Sequence, residues 1–356
     1  MPYNPLIVSV AKTIDKKGCM QHCLDVEARI LAAGVDIEHL YIEPLSADWN
    51  APTKPNHFKS GCAPVEALAK AADLIYAGCH AVLISGEDDL KTGYLREQRR
   101  ELMAVYEDDY PLTQAYTDLA KQFMHIHDID EALFKRLCEC LFENHKRSYS
   151  HVLNPQYDPK MLPDSKWYAP ITELFRGVDC ANPLVDFSGR VIVCSYELAQ
   201  QLAFNRYDCV EVAGIGLSQL AGDGQQYIDQ IADYRHLKQA YEQSCAQACV
   251  DFNQAFREGH ALLETYTCYP VVPMAFLLVS GLVDMVEELP DFLLEHSITI
   301  TGGMNLARAP WNNPALNGII SMVQRMQNSD EDIGLIHANG GLGYRQGVAI
   351  LRKLAC

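Results

Sequence analysis

Short apolar segments alternate with helical segments along most of the chain, and this alternation constrains the fold more than any other feature. PLIVSVA at 5–11, AVLISG at 81–86 and RVIVCS at 190–195 are largely apolar, as is typical of strands covered on both faces. The segment 64–77 is predicted to be a helix, because Pro64 opens it and Gly78 follows it. The pattern predicts an α/β fold in which helices cover a sheet.

The second half of the chain repeats this organisation. A helical turn follows a predicted strand at Pro64 and again at Val272, which indicates two similar α/β halves. The predicted strands there are 210–216, 262–269, 297–303 and 334–341, and the predicted helices are 228–258, 273–289 and 314–327.

Residues 90–165 are charged, aromatic and mostly helical in pattern, so we interpret them as a helical layer inserted over the sheet. Residues 1–89 and 166–196 would then form the first half, and residues 197–356 the second half. A length of 356 residues agrees with two units, since a domain averages about 150 residues.

Net charge and hydropathy exclude several classes of partner. The formal charge is −17, from 46 acidic and 29 basic residues, and such a field repels phosphate backbones and anionic lipids. No apolar run reaches the roughly 18 residues of a membrane span, and the N-terminus shows no signal-peptide pattern. We therefore expect no nucleic-acid or membrane partner, a cytoplasmic location and reduced thiols among the 13 cysteines.

Two cysteines stand where the predicted fold could make them reactive. Cys62 precedes the helix that starts at Pro64, where free backbone N–H groups favour a thiolate. Cys268 ends a predicted strand just before Pro270, and strand ends are where α/β proteins place reactive groups. For both residues the alternative is ordinary packing of a small buried side chain.

Other candidate motifs give weaker signals. The glycine-rich turns at 302–303 and 340–343 permit close backbone approach, but neither matches a nucleotide-binding fingerprint. His125, His127, Cys19, His22 and Cys23 have no second ligand pair at zinc-site spacing. The sequence therefore predicts no bound metal.

Several blocks, in order over roughly residues 5–353, resemble the divergent thiolase-like (acetyl-CoA acetyltransferase-like) branch of the thiolase superfamily. PVEALAKAADLIYAGCHAVLISGEDDL resembles the family's nucleophile helix and the strand after it, and APITELFRGVDCANPLVDFSGRVIV resembles the approach to a later strand. LETYTCYP resembles a block that reads Tyr-Ser-Cys-Phe-Pro in this branch. TITGGMNLARAPWNNPALNGIISMVQRM and GLIHANGGLG resemble its Thr-Gly-Gly block and its final Ala-Asn-Gly-Gly turn.

The resemblance implies a five-layered αβαβα fold, built from two pseudo-symmetric βαβαβαββ halves with an inserted helical loop domain. It also implies a homodimer, a possible protein partner, and a coenzyme A thioester as substrate with no permanently bound cofactor.

The family's catalytic pattern is not intact in this chain. Its nucleophilic Cys aligns with Gly61, one residue before Cys62, and the histidine of its Gly-His-Pro turn aligns with Ala309. The family's second Cys aligns with Ala338, beside His337. The Asn or His of the block that LETYTCYP resembles aligns with Tyr266.

The resemblance therefore implies an altered acyltransfer site. Cys62 or Cys268 would carry the acyl group, and His337 would act as the base. The residues expected to contact substrate or stabilise an oxyanion are Gly303, Asn312, Asn313, Gly341 and Tyr266. The alternative is a catalytically silent, thiolase-shaped subunit that binds acyl-CoA or another protein.

Overall fold

The chain was analysed as a computed structural model, which describes residues 4–106, 109–152 and 163–354. The first part contains β1 (Leu6–Ile14), β2 (Lys17–Gly18), α1 (Gln21–Ala32), β3 (Glu38–Ile42), β4 (His57–Phe58), α2 (Ala63–Tyr76) and β5 (Ala81–Asp89). Three helices follow: α3 (Arg96–Leu102), α4 (Leu112–Ile126) and α5 (Glu131–Val152).

The rest of the chain returns to strand and helix alternation. Its elements are β6 (Asp186–Cys194), α6 (Tyr196–Gln201), β7 (Val210–Gln219), α7 (Ile228–Ala232), α8 (Arg235–Ala248), α9 (Phe252–Arg257), β8 (Ala261–Glu264), α10 (Val271–Val279), α11 (Leu289–Glu295), α12 (Pro314–Met326), β9 (Ile333–Gly340) and β10 (Arg345–Lys353). The predicted long helical segment at 228–258 is thus three separate helices.

The strands form two groups joined at one narrow place. Their order is β4-β3-β5-β6-β1-β7-β10-β9-β8, with β2 paired to β1. Strands β1 and β7 pair only at Leu6 with Glu211 and at Ile7 with Val210, whereas β7 and β10 pair along their whole length. The sheet is therefore continuous in hydrogen bonding but consists of two parts, one from each half of the chain.

Alternating side chains place helices on both faces of each part. In β1, Ile7 packs in a central core with α2 and α12, while Leu6 packs with α1 and α6. In β9, Ile336 belongs to the same central core, while Leu335 packs with α8 and α10. Helices α2 and α12 contact each other and strands of both parts. The layers therefore run α, β, α, β, α, which confirms the predicted five-layered arrangement.

Two glycines let α8 lie directly on β7. A Cβ atom at Gly214 would overlap the backbone oxygen of Ser244, and one at Gly216 would overlap the backbone oxygen of Ala240. Because both obstacles are backbone atoms of the same helix, any side chain at either position would push α8 away from the sheet.

The predicted strand at 297–303 is wrong. The buried carboxylate of Glu264 accepts hydrogen bonds from the backbone N–H groups of Ile300 at 2.7 Å and Thr301 at 3.0 Å. It also accepts hydrogen bonds from the hydroxyls of Thr299 and Thr301. The carboxylate therefore satisfies backbone groups that a neighbouring strand would otherwise pair.

The helices between β5 and β6 pack against the second half. Helix α4 contacts α7 and α10, and α5 contacts α11. Among the helices in the described parts of the chain, none combines the length and apolar character needed to cross a bilayer.

Candidate active site

A cavity of about 290 Å³ lies where the two halves and the helical layer meet. The segment before α2 contributes Ser60 and Gly61, and the turn between β8 and α10 contributes Tyr266, Cys268 and Tyr269. The remaining walls include 310–312 before α12, the end of β9 and the turn after it, and part of the helical layer. Single residues from elsewhere complete them: Trp49, Ala181, Pro183 and Met304.

Cys268 lines this cavity and is held by Tyr116 of α4. Its sulfur lies 3.3 Å from the Tyr116 hydroxyl, which itself donates a hydrogen bond to the Gly341 carbonyl at 2.8 Å. The Tyr116 oxygen is therefore left to accept the thiol proton. Burial raises the pKa of Cys268 to about 12, so the sulfur is a thiol rather than a thiolate at neutral pH.

Cys62 does not line the cavity. It directly precedes α2, but its side chain is buried in the central core and its sulfur lies against Gly347 of β10. Burial raises its pKa well above the usual range, and the nearby Glu66 charge adds to the effect. Desolvation thus outweighs the effect of the helix N-terminus at this thiol.

Gly61, the position at which the resemblance places the family's cysteine, has no room for a side chain. A Cβ atom there would overlap both the Tyr266 hydroxyl and the Asn339 carbonyl oxygen. Since Gly61 has no unusual φ, the glycine is required by close approach alone. Burial raises the pKa of Tyr266 well above its usual range, so the phenol that fills this space is neutral at physiological pH.

His337 supports Tyr266 from behind rather than facing the cavity. Its Nδ1 accepts a hydrogen bond from the Tyr266 backbone N–H at 3.4 Å, and its Nε2 donates to Gln346 Oε1 at 2.8 Å. Its ring stacks on Phe276. Burial lowers the pKa of His337 to about 4. The ring is therefore neutral at physiological pH, and both of its nitrogens are engaged.

The two asparagines before α12 join segments of the chain. Asn312 lines the cavity, accepts a hydrogen bond from the Ser60 N–H at 3.3 Å and donates to the Glu43 carbonyl at 2.8 Å. Asn313 donates to Asp88 at 2.9 Å and is buried outside the cavity. Their amide groups therefore fix the cavity wall.

The two glycine turns have different positions. Gly341 lies in the cavity wall and offers its carbonyl to Tyr116. Gly303 lies against His145 instead, outside this cavity. The structure thus brings Cys268, Tyr266, Asn312 and Gly341 to one cavity, and leaves Cys62, His337, Asn313 and Gly303 beyond its walls.

Sequence reasoning missed a phenol in the cavity wall, Tyr106, and the carboxylate that it contacts, Asp223. The Tyr106 hydroxyl donates to Asp223 Oδ2 at 2.5 Å, and the Leu342 N–H donates to the same carboxylate. Burial raises the pKa of Asp223 to about 6. No local pattern signals the pair, because its members are 117 residues apart in the chain.

Asp88 is a second buried carboxylate that sequence reasoning did not assign. Its oxygens accept hydrogen bonds from the backbone N–H groups of Leu45 and Asn312, each at 3.0 Å. Burial raises its pKa to about 6. The only signal was its position in the Gly-plus-acid segment 86–89, which forms the end of β5. Asp88 therefore joins the segment at Leu45 to the segment before α12.

No family model matches the chain, and no curated protein matches it either. Solved structures do match the chain. A monomeric SCP2-thiolase like protein type 1 (STLP1) from Mycobacterium smegmatis has a TM-score of 0.73 at 17% identity, with 100% of this chain and 79% of that chain covered. This similarity concerns the whole chain.

Two further solved structures are also similar to this chain over almost its whole length. The Ltp2-ChsH2(DUF35) aldolase has a TM-score of 0.67 at 16% identity, with 99% of this chain and 98% of that chain covered. The Acat5 thiolase from Ascaris suum in complex with coenzyme A has a TM-score of 0.63 at 16% identity, with 99% and 100% covered. The chain therefore has a thiolase-like fold, as the sequence predicted.

Proposed function

We propose that the cavity binds the acyl group of a coenzyme A thioester and that the chain removes a proton from the carbon next to the thioester carbonyl. The fold supports this class of substrate, because one similar structure is a thiolase in complex with coenzyme A. The chemistry proposed is formation of an enolate, without an acyl-enzyme.

One observation carries the proposal. Where the family's thiol nucleophile aligns, the chain has Gly61, and the Tyr266 hydroxyl fills the space. A buried neutral phenol is a poor nucleophile but a good hydrogen-bond donor. Placed against a thioester carbonyl, it stabilises the negative charge that develops on the oxygen when the neighbouring carbon loses a proton.

Tyr106 and Asp223 supply the proton acceptor. The α-carbon C–H bond breaks, and its proton moves to the Tyr106 oxygen while the Tyr106 proton moves to Asp223. The electron pair stays with the substrate as an enolate, whose oxygen accepts the hydrogen bond from Tyr266. A carboxylate with a pKa of about 6 is ionised at neutral pH and suits this task.

An enolate next to a thioester is the intermediate for making or breaking the adjoining carbon–carbon bond. Two of the similar structures are described as a thiolase and as an aldolase. We therefore place the overall reaction in carbon–carbon bond chemistry on an acyl-CoA.

Acyl transfer through a cysteine acyl-enzyme is the second candidate. It is favoured by Cys268, which lines the cavity beside Tyr266. It is opposed by the pKa of about 12 for that thiol and by the phenol, rather than imidazole, that contacts it.

Deuterium exchange separates these functions without knowledge of a second substrate. Acetyl-CoA and octanoyl-CoA are each incubated with the protein in D₂O. The masses of the acyl-CoA and of the intact protein are then measured by mass spectrometry. We expect deuterium at the α-carbon and no mass added to the protein. An adduct that disappears in Cys268→Ser, without exchange, would establish the acyl-enzyme instead. Binding with neither signal would leave a silent binding subunit.

The exchange rate should rise with pH through about 6, because Asp223 accepts a proton only once it is ionised. Asp223→Asn should lower the rate at pH 8 at least tenfold and leave the profile flat between pH 5 and 8. Asp118→Asn is a matched control, since Asp118 lies on α4 outside the cavity and accepts a hydrogen bond from Tyr110. An unchanged profile in Asp223→Asn would remove Asp223 from the mechanism.

A further inference from the structure

The cavity is large for the acyl group of acetyl-CoA. Its volume of about 290 Å³ is roughly twice that of an engineered cavity of about 150 Å³ that binds benzene. An acetyl group would fill a small part of this space and leave most of the wall without contacts. The volume matches one ring with a short chain, or two fused rings.

The walls that enclose this space are aromatic and rigidly held. Among the described residues, six aromatic side chains line it: Trp49, Tyr106, Tyr116, Tyr266, Tyr269 and Trp311. Tyr116 stacks on Tyr269 with ring centres 3.9 Å apart, and Trp49 meets the edge of Tyr106 at 6.1 Å. Because these rings support one another, the cavity does not collapse around a small occupant.

The wall chemistry also limits the charge of the occupant. Met103, Val105 and Leu112 from the helical layer and Met304 complete the apolar surface, and none of the described residues that line the cavity is a lysine or an arginine. A carboxylate on the acyl group would be buried without a cation, which is costly. Flat uncharged rings, by contrast, pair favourably with aromatic walls in stacked or edge-on contact.

From this volume and these walls we propose that the acyl group carries an uncharged ring system, with arylalkanoyl groups favoured over acetyl and over straight chains, and with cinnamoyl-CoA as their unreactive analogue. The inference rests on the proposed function, since it assumes that the cavity receives the acyl end of a coenzyme A thioester.

The test is a comparison of dissociation constants by calorimetry for free coenzyme A, acetyl-CoA, octanoyl-CoA and cinnamoyl-CoA. Cinnamoyl-CoA has no saturated α-carbon, so it cannot undergo the proposed proton removal during the measurement. Each buried CH₂-sized group is worth about fourfold in affinity. We expect cinnamoyl-CoA to bind at least tenfold more tightly than acetyl-CoA and severalfold more tightly than octanoyl-CoA.

A variant that fills the cavity checks where the ring lies. Leu112→Trp should weaken cinnamoyl-CoA binding at least tenfold and should weaken acetyl-CoA binding by a smaller factor, because an acetyl group fills only a small part of the cavity. Leu133→Trp is the matched control, because Leu133 is also half-buried but lies on α5 outside the cavity. It should change neither value.

The outcomes distinguish the two proposals. Equal affinity for all acyl-CoA esters, or tighter binding of octanoyl-CoA than of cinnamoyl-CoA, overturns the ring preference and leaves the proposed function in place. If neither the esters nor free coenzyme A bind, the proposed function fails and the ring preference fails with it. The wild-type comparison decides these points even if Leu112→Trp does not fold.

Discussion

Tyr266→Phe should lower the rate of α-carbon deuterium exchange at least a hundredfold while leaving acyl-CoA binding within about threefold of wild type. The variant keeps the ring that fills the space at Gly61 and loses only the hydroxyl. Removing one donor to a developing oxyanion costs about 10²–10³ in rate, since that hydrogen bond strengthens only as charge develops.

Tyr76→Phe provides the control for this substitution. Tyr76 is half exposed and donates a hydrogen bond to Asn4 on the surface, so its loss should leave exchange unchanged. If Tyr266→Phe exchanged at the wild-type rate, the phenol would have a packing role only, and the enolate mechanism proposed for it would be wrong.

Gly61→Ala should destabilise the protein by about 3 kcal/mol and abolish acyl-CoA binding. The added methyl group would overlap the Tyr266 hydroxyl and also the Asn339 carbonyl oxygen, which is a backbone atom that cannot rotate away. Tyr266 would then be forced further into the cavity. The free energy of unfolding from urea titration and the dissociation constant of cinnamoyl-CoA measure the two effects.

Gly34→Ala separates the clash from backbone preference. Gly34 has a φ of +77° and nothing within 4 Å of an added Cβ, so its replacement should cost about 1 kcal/mol without affecting the cavity. If Gly61→Ala were no more costly than this control, the contact between Gly61 and Tyr266 would not be tight. By the same reasoning, Gly61→Cys should not restore a thiolase nucleophile.

Sequence reasoning located several strands well because their burial is uniform, although the strand predicted at 262–269 ends at Glu264. The apolar run at 81–86 lies within β5, and the helix predicted at 64–77 is α2, displaced by one residue. It failed at 297–303, where alternating Thr and Ile residues resemble a strand. Their backbone partner is the carboxylate of Glu264, more than thirty residues away in the chain.

The site was predicted only in part, for a physical reason. Cys268 and Tyr266 lie in one short block, so a local resemblance brings both to the cavity. Whether Cys62 or Gly61 faces the cavity depends on side-chain direction at a turn, which sequence spacing does not fix. The pairing of Tyr106 with Asp223 depends on how the helical layer docks, and no sequence pattern near either residue records that.

The cavity walls come from segments spread between Trp49 and Gly341, in both halves and in the helical layer. A ligand held there contacts segments that come together only when the whole chain has folded. Its binding therefore raises the free energy of unfolding of the entire protein. A ligand at a hundred times its dissociation constant would add about 2.7 kcal/mol. Thermal shift with acyl-CoA esters therefore offers a direct way to search for the natural substrate.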